Sequence, residues 1–171
     1  MMSKTLRLSD GSTVRVLEAG AGEPLLLIHG VGLRAEAWGP QMRLEAHVFA
    51  VDLPGHGDST PLPAGARLPD YVAWAAQVIE ALGVGPMNVA GHSMGSLIAG
   101  GLAIERPDLV KRVALLNGVH RRTPEARAAV LARADQIAMG TRGMGAVGSL
   151  FLGSVALGVV HRSAVPVLLV K

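Results

Sequence analysis

Ser93 stands in the run Gly91-His92-Ser93-Met94-Gly95, with a glycine two positions away on either side. The residues before it, Met87-Asn88-Val89-Ala90, form a short, mostly apolar run. Those after it place Leu97, Ile98 and Leu102 at helical spacing until Pro107 stops the pattern. A serine on a sharp turn between a buried strand and a helix is held in a strained backbone with its hydroxyl exposed, and flanking glycines let strand and helix pass without Cβ clashes. The next backbone N–H, that of Met94, then points where an oxyanion would form, helped by the positive end of the helix dipole. The chemistry such a serine suits is nucleophilic attack on a carbonyl. An incidental glycine-rich turn is the alternative; the strand before it and the helix after it favour the chemical reading.

The elements that must position this serine are legible as alternating patterns. Leu6-Arg7-Leu8 and Thr13-Val14-Arg15-Val16 alternate apolar with polar around Asp10-Gly11, the pattern of a hairpin. Continuous apolar runs at 24–29, 48–52, 87–90, 113–117, 136–139 and 165–170 read as strands buried on both faces of a parallel sheet. Between them, residues 69–82 put Tyr71, Trp74, Ala75, Val78 and Leu82 on one helical face, with Pro69 near the start and Gly83 just past the end. Strands alternating with helices predict an α/β fold with a doubly wound, mostly parallel sheet sandwiched by helices.

Composition narrows the function classes. The 171 residues are one domain's worth, 50% hydrophobic and only 17% charged, which excludes disorder. Without cysteine there is no disulfide and no thiolate metal site, and no metal is expected. The net charge of +3 comes from scattered arginines with no interleaved aromatics. The one cluster, Arg121, Arg122, Arg127 and Arg133, reads as a solvated helix face, so no nucleic-acid partner is expected. No apolar run reaches the ~18 residues that span a bilayer, and Met1-Met2-Ser3-Lys4-Thr5 opens no signal peptide. The expectation is a cytoplasmic protein without a membrane partner.

Residues 1–133 resemble the α/β-hydrolase family, in particular its small esterase and enol-lactonase-like members. Leu26-Leu27-Ile28-His29-Gly30-Val31-Gly32 resembles that family's strand and oxyanion loop, which implies the Val31 N–H as a second oxyanion donor. Asp52-Leu53-Pro54-Gly55-His56-Gly57-Asp58-Ser59 resembles its D-x-P-G-x-G-x-S turn, a structural element. The serine turn and Val113-Ala114-Leu115-Leu116-Asn117 follow in the family's order.

A serine nucleophile needs a base and a carboxylate to orient it, and in this family both follow the serine. Beyond Ser93 the histidines are His120 and His161, and the acids are Glu105, Asp108, Glu125 and Asp135. None stands in a family-like segment, and the helical cap usual after the Asn117 strand is missing. His120, on the sheet edge that carries Ser93, is the candidate base, against a plain solvated loop residue. Asp135 falls at the wrong end of its strand. His29, His56 and His92 lie inside turn motifs and read as structural, and His47 reads as surface. The triad reads as incomplete, and little ester hydrolysis is expected.

From Ala134 the sequence changes character. Gly140-Thr141-Arg142-Gly143, then Gly153-Ser154, and finally Val165-Pro166-Val167-Leu168-Leu169-Val170 resemble the C-terminal segment of the universal stress protein family. Its G-x2-G-x9-G-[S/T] loop binds the phosphates and ribose of ATP, which implies a phosphate cradle at Gly140, Gly143, Gly153 and Ser154. Backbone N–H groups there can converge on an anion, and Ser154 suits a helix N-cap. The same glycines also serve simply to turn the chain, and that family's adenine-contacting strands are absent. No cofactor is required; ATP or phosphate is the candidate ligand. The expectation is a chimera within one domain, joined near residue 133 by engineering or by natural recombination, its two last strands standing in for those of a hydrolase. The apolar strand from Val165 to Val170 is expected at the sheet edge, pairing with its twin in a homodimer.

Overall fold

A computed structural model describes residues 1–118, together with the backbone of Ile137–Gly140 and Val167–Val170. The strands are β1 (Met2–Arg7), β2 (Thr13–Ala19), β3 (Pro24–Ile28), β4 (His47–Val51), β5 (Met87–His92), β6 (Val110–Leu116), β7 (Ile137–Gly140) and β8 (Val167–Val170), with helices α1 (Leu68–Leu82) and α2 (Met94–Glu105). Six strands form one mixed sheet in the order β1-β2-β4-β3-β5-β6. The alternating segments make the antiparallel β1/β2 hairpin, which joins the sheet antiparallel to β4. The continuous apolar segments make the parallel set β4, β3, β5 and β6.

The apolar continuity of these strands has a packing cause, since both faces are covered. Leu26, Ile28, Phe49, Val51, Val89 and Val113 point into a core shared with α1 and α2. Leu27, Val48, Ala50 and Ala90 point to the other face, where Trp38 and Met42 from the short 3-10 helices Ala35–Trp38 and Gln41–Arg43 cover them. Each fully buried side chain of this size stabilises the fold by roughly 1.5–3 kcal/mol. Helix α1 buries a wider face than its sequence pattern predicts. Val72, Ala76 and Ile79 are buried alongside Trp74, Ala75 and Val78, whereas Tyr71 and Leu82 are half-buried, because α1 packs on α2 as well as on the sheet.

Two strand expectations shift. Strand β6 begins at Val110, ahead of the expected 113, because its first turn of chain is polar: Lys111 and Arg112 are exposed. Strands β7 and β8 pair with each other in parallel as a separate two-stranded sheet, and β7 approaches β6 within 8 Å without a ladder between them. Register is what assembles the site. Ile28 stands opposite Gly91, and His92 opposite Leu116, so the C-terminal ends of β3, β5 and β6 share one edge. Among the described residues no helix is long and apolar enough to cross a membrane.

Candidate active site

The turn at Ser93 is the sharpest feature of that edge. Ser93 has φ 55 and ψ −115 and stands immediately before α2. A non-glycine residue in this region is strained by about 1–3 kcal/mol and persists only where its surroundings hold it. They hold it on both sides. Its N–H donates to the Leu116 carbonyl at 3.0 Å, and its carbonyl accepts from the Ser96 N–H at 3.0 Å and the buried Ser96 hydroxyl at 2.6 Å. The flanking glycines are required by contact: a Cβ on Gly91 would overlap the Gly95 carbonyl, and one on Gly95 would overlap the Ile28 carbonyl. The helix therefore starts pressed against β3, and its first N–H groups, that of Met94 among them, have no partner within the helix.

The loop after β3 comes up beside this serine. A Cβ built on Gly30 would stand 3.0 Å from the Ser93 Cβ. The Gly30 carbonyl accepts from the Leu33 N–H at 3.2 Å, closing a tight turn whose third residue, Gly32, has φ +77. Val31, between them, is exposed, and among the described residues its N–H has no acceptor. The Met94 N–H thus follows the serine directly, and the Val31 N–H lies one residue beyond Gly30, which packs against it.

Two histidines tie this loop to the turn at 52–59. The Leu53 N–H donates to His29 Nε2 at 3.0 Å, so that nitrogen carries a lone pair. The proton is then on His29 Nδ1, which donates to the Gly30 carbonyl at 2.7 Å. Burial pushes the His29 imidazole below its ordinary value, which keeps it neutral. His56 repeats the pattern one turn further: its Nε2 accepts from the Gly32 N–H at 3.2 Å, and its Nδ1 faces the Pro54 carbonyl at 3.1 Å. The two rings meet edge to face, 5.3 Å between centroids.

Asp52 anchors the turn and the segment after the loop. Fully buried, it accepts from the Ala35 N–H at 2.7 Å through Oδ1 and from Arg15 at 3.0 Å through Oδ2. Arg15 also donates to Glu36 at 2.5 Å, and hydrogen bonds to Glu36 and Asp52 raise its proton affinity further. The Ser59 hydroxyl donates to the Asp52 carbonyl at 2.9 Å and accepts from the Arg15 N–H at 3.0 Å. Sequence reasoning missed Arg15, whose only signal is its place in an alternating strand. It also missed that His29 and His56 serve as acceptors for backbone N–H groups.

The other candidate residues fall as follows. His47 was expected at the surface; it is instead the first residue of β4, half-buried, with Nε2 2.6 Å from Glu18 Oε1 and its ring 4.3 Å from that of Phe49. Pairing β2 with β4 brings Glu18 opposite Phe49, which is why His47 finds a partner there. Gly140, expected in a loop, is the last residue of β7, in register with Val170. Ser93, Met94 and Val31 are brought together at one edge, as described above. His120, Gly143, Gly153 and Ser154, the arginine cluster, Asp135 and Val165 lie outside the described residues. Among the described residues no three His, Cys, Asp or Glu side chains group to hold a metal.

Known proteins match this architecture. The family model for the alpha/beta hydrolase fold matches residues 23–144, continuing through residue 133, where a joint was expected. Over 143 residues the chain is 55% identical to "(E)-2-((N-methylformamido)methylene)succinate hydrolase" of Acinetobacter baylyi, a match covering 82% of this chain and 54% of that protein. Among solved structures, an epoxide hydrolase from an endophytic Streptomyces is similar at a TM-score of 0.62 and 31% identity, covering 67% of this chain and 36% of that one. A hydrolase from Pseudomonas aeruginosa PA01 is similar in fold alone, with a TM-score of 0.74 at 16% identity over 99% of this chain and 90% of that one. The chain spans about half the length of that Acinetobacter baylyi hydrolase. These matches carry no sign of a universal stress protein segment or of a chimera. The serine turn, the adjacent loop and the strand order all agree with the family match: the chain belongs to the α/β-hydrolase fold family.

Proposed function

We propose that Ser93 is the nucleophile of an acyl-hydrolase site in which the N–H groups of Met94 and Val31 stabilise the oxyanion. The observation that carries this reading is the strained Ser93 backbone, held in place with Gly30 packed against its side chain. In the reaction the Ser93 Oγ attacks the carbonyl carbon, its proton passes to a base, and negative charge gathers on an oxygen between the two N–H groups. Among the described residues three imidazoles are engaged elsewhere, and His92, next in the chain to Ser93, has a buried Nδ1 with no hydrogen-bond partner. His29 and His56 have their ring nitrogens committed to backbone groups, and His47 is paired with Glu18. The chain leaves β6 with Gly118 close to the Ser96 hydroxyl, one turn from Ser93, which supports His120, two residues on, as the candidate base. Ser93 and the two N–H donors alone, without a base and acid among the described residues, are expected to give the ~10³–10⁴ over water that remains when a triad member is removed.

The relative's name supports small unsaturated dicarboxylates bearing an N-acyl group as the first substrates to assay. Hydrolysis of such a compound and of p-nitrophenyl acetate, measured on the wild type and on Ser93→Ala, tests the reading. The expected result is slow hydrolysis that vanishes with Ser93; equal rates in the two proteins overturn it.

A second reading concerns the segment from 134, whose glycine spacing resembles the phosphate loop of universal stress proteins. In its favour, β7 and β8 are adjacent and parallel, so the chain leaving Gly140 starts from the C-terminal end of a parallel strand, where α/β folds bind ligands. We propose weak anion binding at Gly140, Gly143, Gly153 and Ser154, without adenine selectivity. Calorimetry with ATP and pyrophosphate tests it: similar weak affinities are expected, and either no binding or strong preference for ATP contradicts it.

A further inference from the structure

We infer that His56 is a positioning residue for the oxyanion loop: its neutral imidazole latches the Gly32 N–H and so aims the Val31 N–H at the site of Ser93. The inference rests on the acyl-hydrolase reading above. Its starting point is a constraint of hydrogen-bond chemistry. A backbone N–H only donates, so the 3.2 Å contact from Gly32 N to His56 Nε2 requires a lone pair on that nitrogen. The ring proton is therefore on Nδ1, where the Pro54 carbonyl accepts it. His29 binds the neighbouring residue, donating to the Gly30 carbonyl while Leu53 holds its other nitrogen. Val31 is the single residue between the two tied positions, and its own exposed side chain contributes no anchor. The Val31 N–H lies on the Gly30–Val31 peptide, whose carbonyl accepts from His29 and from the Leu33 N–H, and the next peptide, Val31–Gly32, is held by His56, so the latch fixes Val31 from its C-terminal side.

The two rings differ in what water can do to them. His29 is fully buried, whereas His56 is half-exposed and reaches solvent from the turn at 52–59. A proton added to His56 Nε2 places one N–H against another, and the latch becomes a repulsion. The groups on the packed elements that bear on His56 are few. His29 faces it edge to face from the loop after β3, and His92 lies at the serine turn beside Gly30. Asp52 and Glu36 are both engaged by Arg15, Arg34 precedes the first 3-10 helix, and the exposed Asp58 stands 4.0 Å from Arg15 on the same turn.

The test uses selectively ¹⁵N-glycine-labelled protein and three forms: wild type, His56→Gln, whose amide oxygen accepts a hydrogen bond but does not titrate, and His56→Ala, which offers no acceptor. In wild type the Gly32 amide is expected to be protected from hydrogen exchange, to lose that protection in His56→Ala and to keep it in His56→Gln. The rate at which Ser93 is acylated by p-nitrophenyl acetate is expected to fall about tenfold in His56→Ala, less than the 10²–10³ of losing an oxyanion donor outright. KM should stay unchanged, and His56→Gln should restore the rate. A Gly32 amide no better protected in wild type than in His56→Ala overturns the latch, as does a His56→Gln variant as slow as His56→Ala. If Ser93 is not acylated in wild type, the acyl-hydrolase reading fails by itself, and the Gly32 amide exchange still decides whether His56 holds Gly32.

Discussion

The carbonyl of Ile28 and the α-carbon of Gly95 are pressed so closely that no side chain fits between them. Strand β3 and the first turn of α2 are thereby locked face to face, and the loop leaving β3 is delivered to Ser93. Gly95→Ala is expected to destabilise the fold by about 3 kcal/mol or more, at the upper end for overpacking, because the obstacle is backbone with no rotamer to yield. A urea midpoint unchanged from wild type would show that helix and strand have room to separate.

The ion pairs of Arg15 separate two magnitudes. Removing one partner of a buried pair leaves an uncompensated charge, so Asp52→Ala is expected to cost about 3 kcal/mol, the low end of that class, since Arg15 keeps some contact with water. Glu36 is more than half exposed, and Glu36→Ala should cost no more than about 1 kcal/mol. Equal losses in the two variants would contradict the placement of Asp52 as the anchor of the 52–59 turn.

Stability should fall with acid in two stages. Burial lowers the proton affinity of His29, so below about pH 6.5 the unfolded chain binds a proton that the folded one resists, and stability drops as pH falls toward the folded value. Glu18 is held below its usual carboxylate range by Lys4 first and His47 second, and Glu36 by Arg15. Their contribution is complete above about pH 4.5 and is lost as pH falls through their lowered folded values. Denaturant midpoints measured from pH 8 down to 3 check both stages. A midpoint that rises between pH 7 and 5 would refute the assignment of His29 as a neutral, buried acceptor.

Much of this was legible in the sequence, for identifiable reasons. The serine turn is local: its strain demands glycines at fixed offsets, so Gly91 and Gly95 announce it. The two-sided burial of β3 and β4 is written in their unbroken apolar runs. Pairings across long stretches of chain were not legible. His56 meets Gly32 across 24 residues and His47 meets Glu18 across 29, and neither partner has a local signature. Polar residues at the start of β6 hid three residues of strand, and Gly140 reads as a loop residue until the ladder with β8 is seen.

Assembly follows from the edge. Strand β8 pairs with β7 on one side, and among the described residues no strand lies on its other side. The β1/β2 hairpin is built beside β4, at the far side of the six-stranded sheet from β6. An unpaired apolar strand edge is a template for a second chain, and we expect a homodimer through the strand ending at Val170. Light scattering decides it: a dimer that Leu168→Lys converts to monomer is expected, and a monomeric wild type refutes it.

The central claim, that Ser93 is a nucleophile between two oxyanion N–H groups, is tested most directly by intact-mass measurement of labelling with a fluorophosphonate probe. The account predicts slow, single-site phosphonylation that maps to Ser93 and disappears in Ser93→Ala. Rapid stoichiometric labelling lost in both Ser93→Ala and His120→Ala would make His120 the base and contradict slow turnover. Labelling that persists in Ser93→Ala would contradict the claim itself.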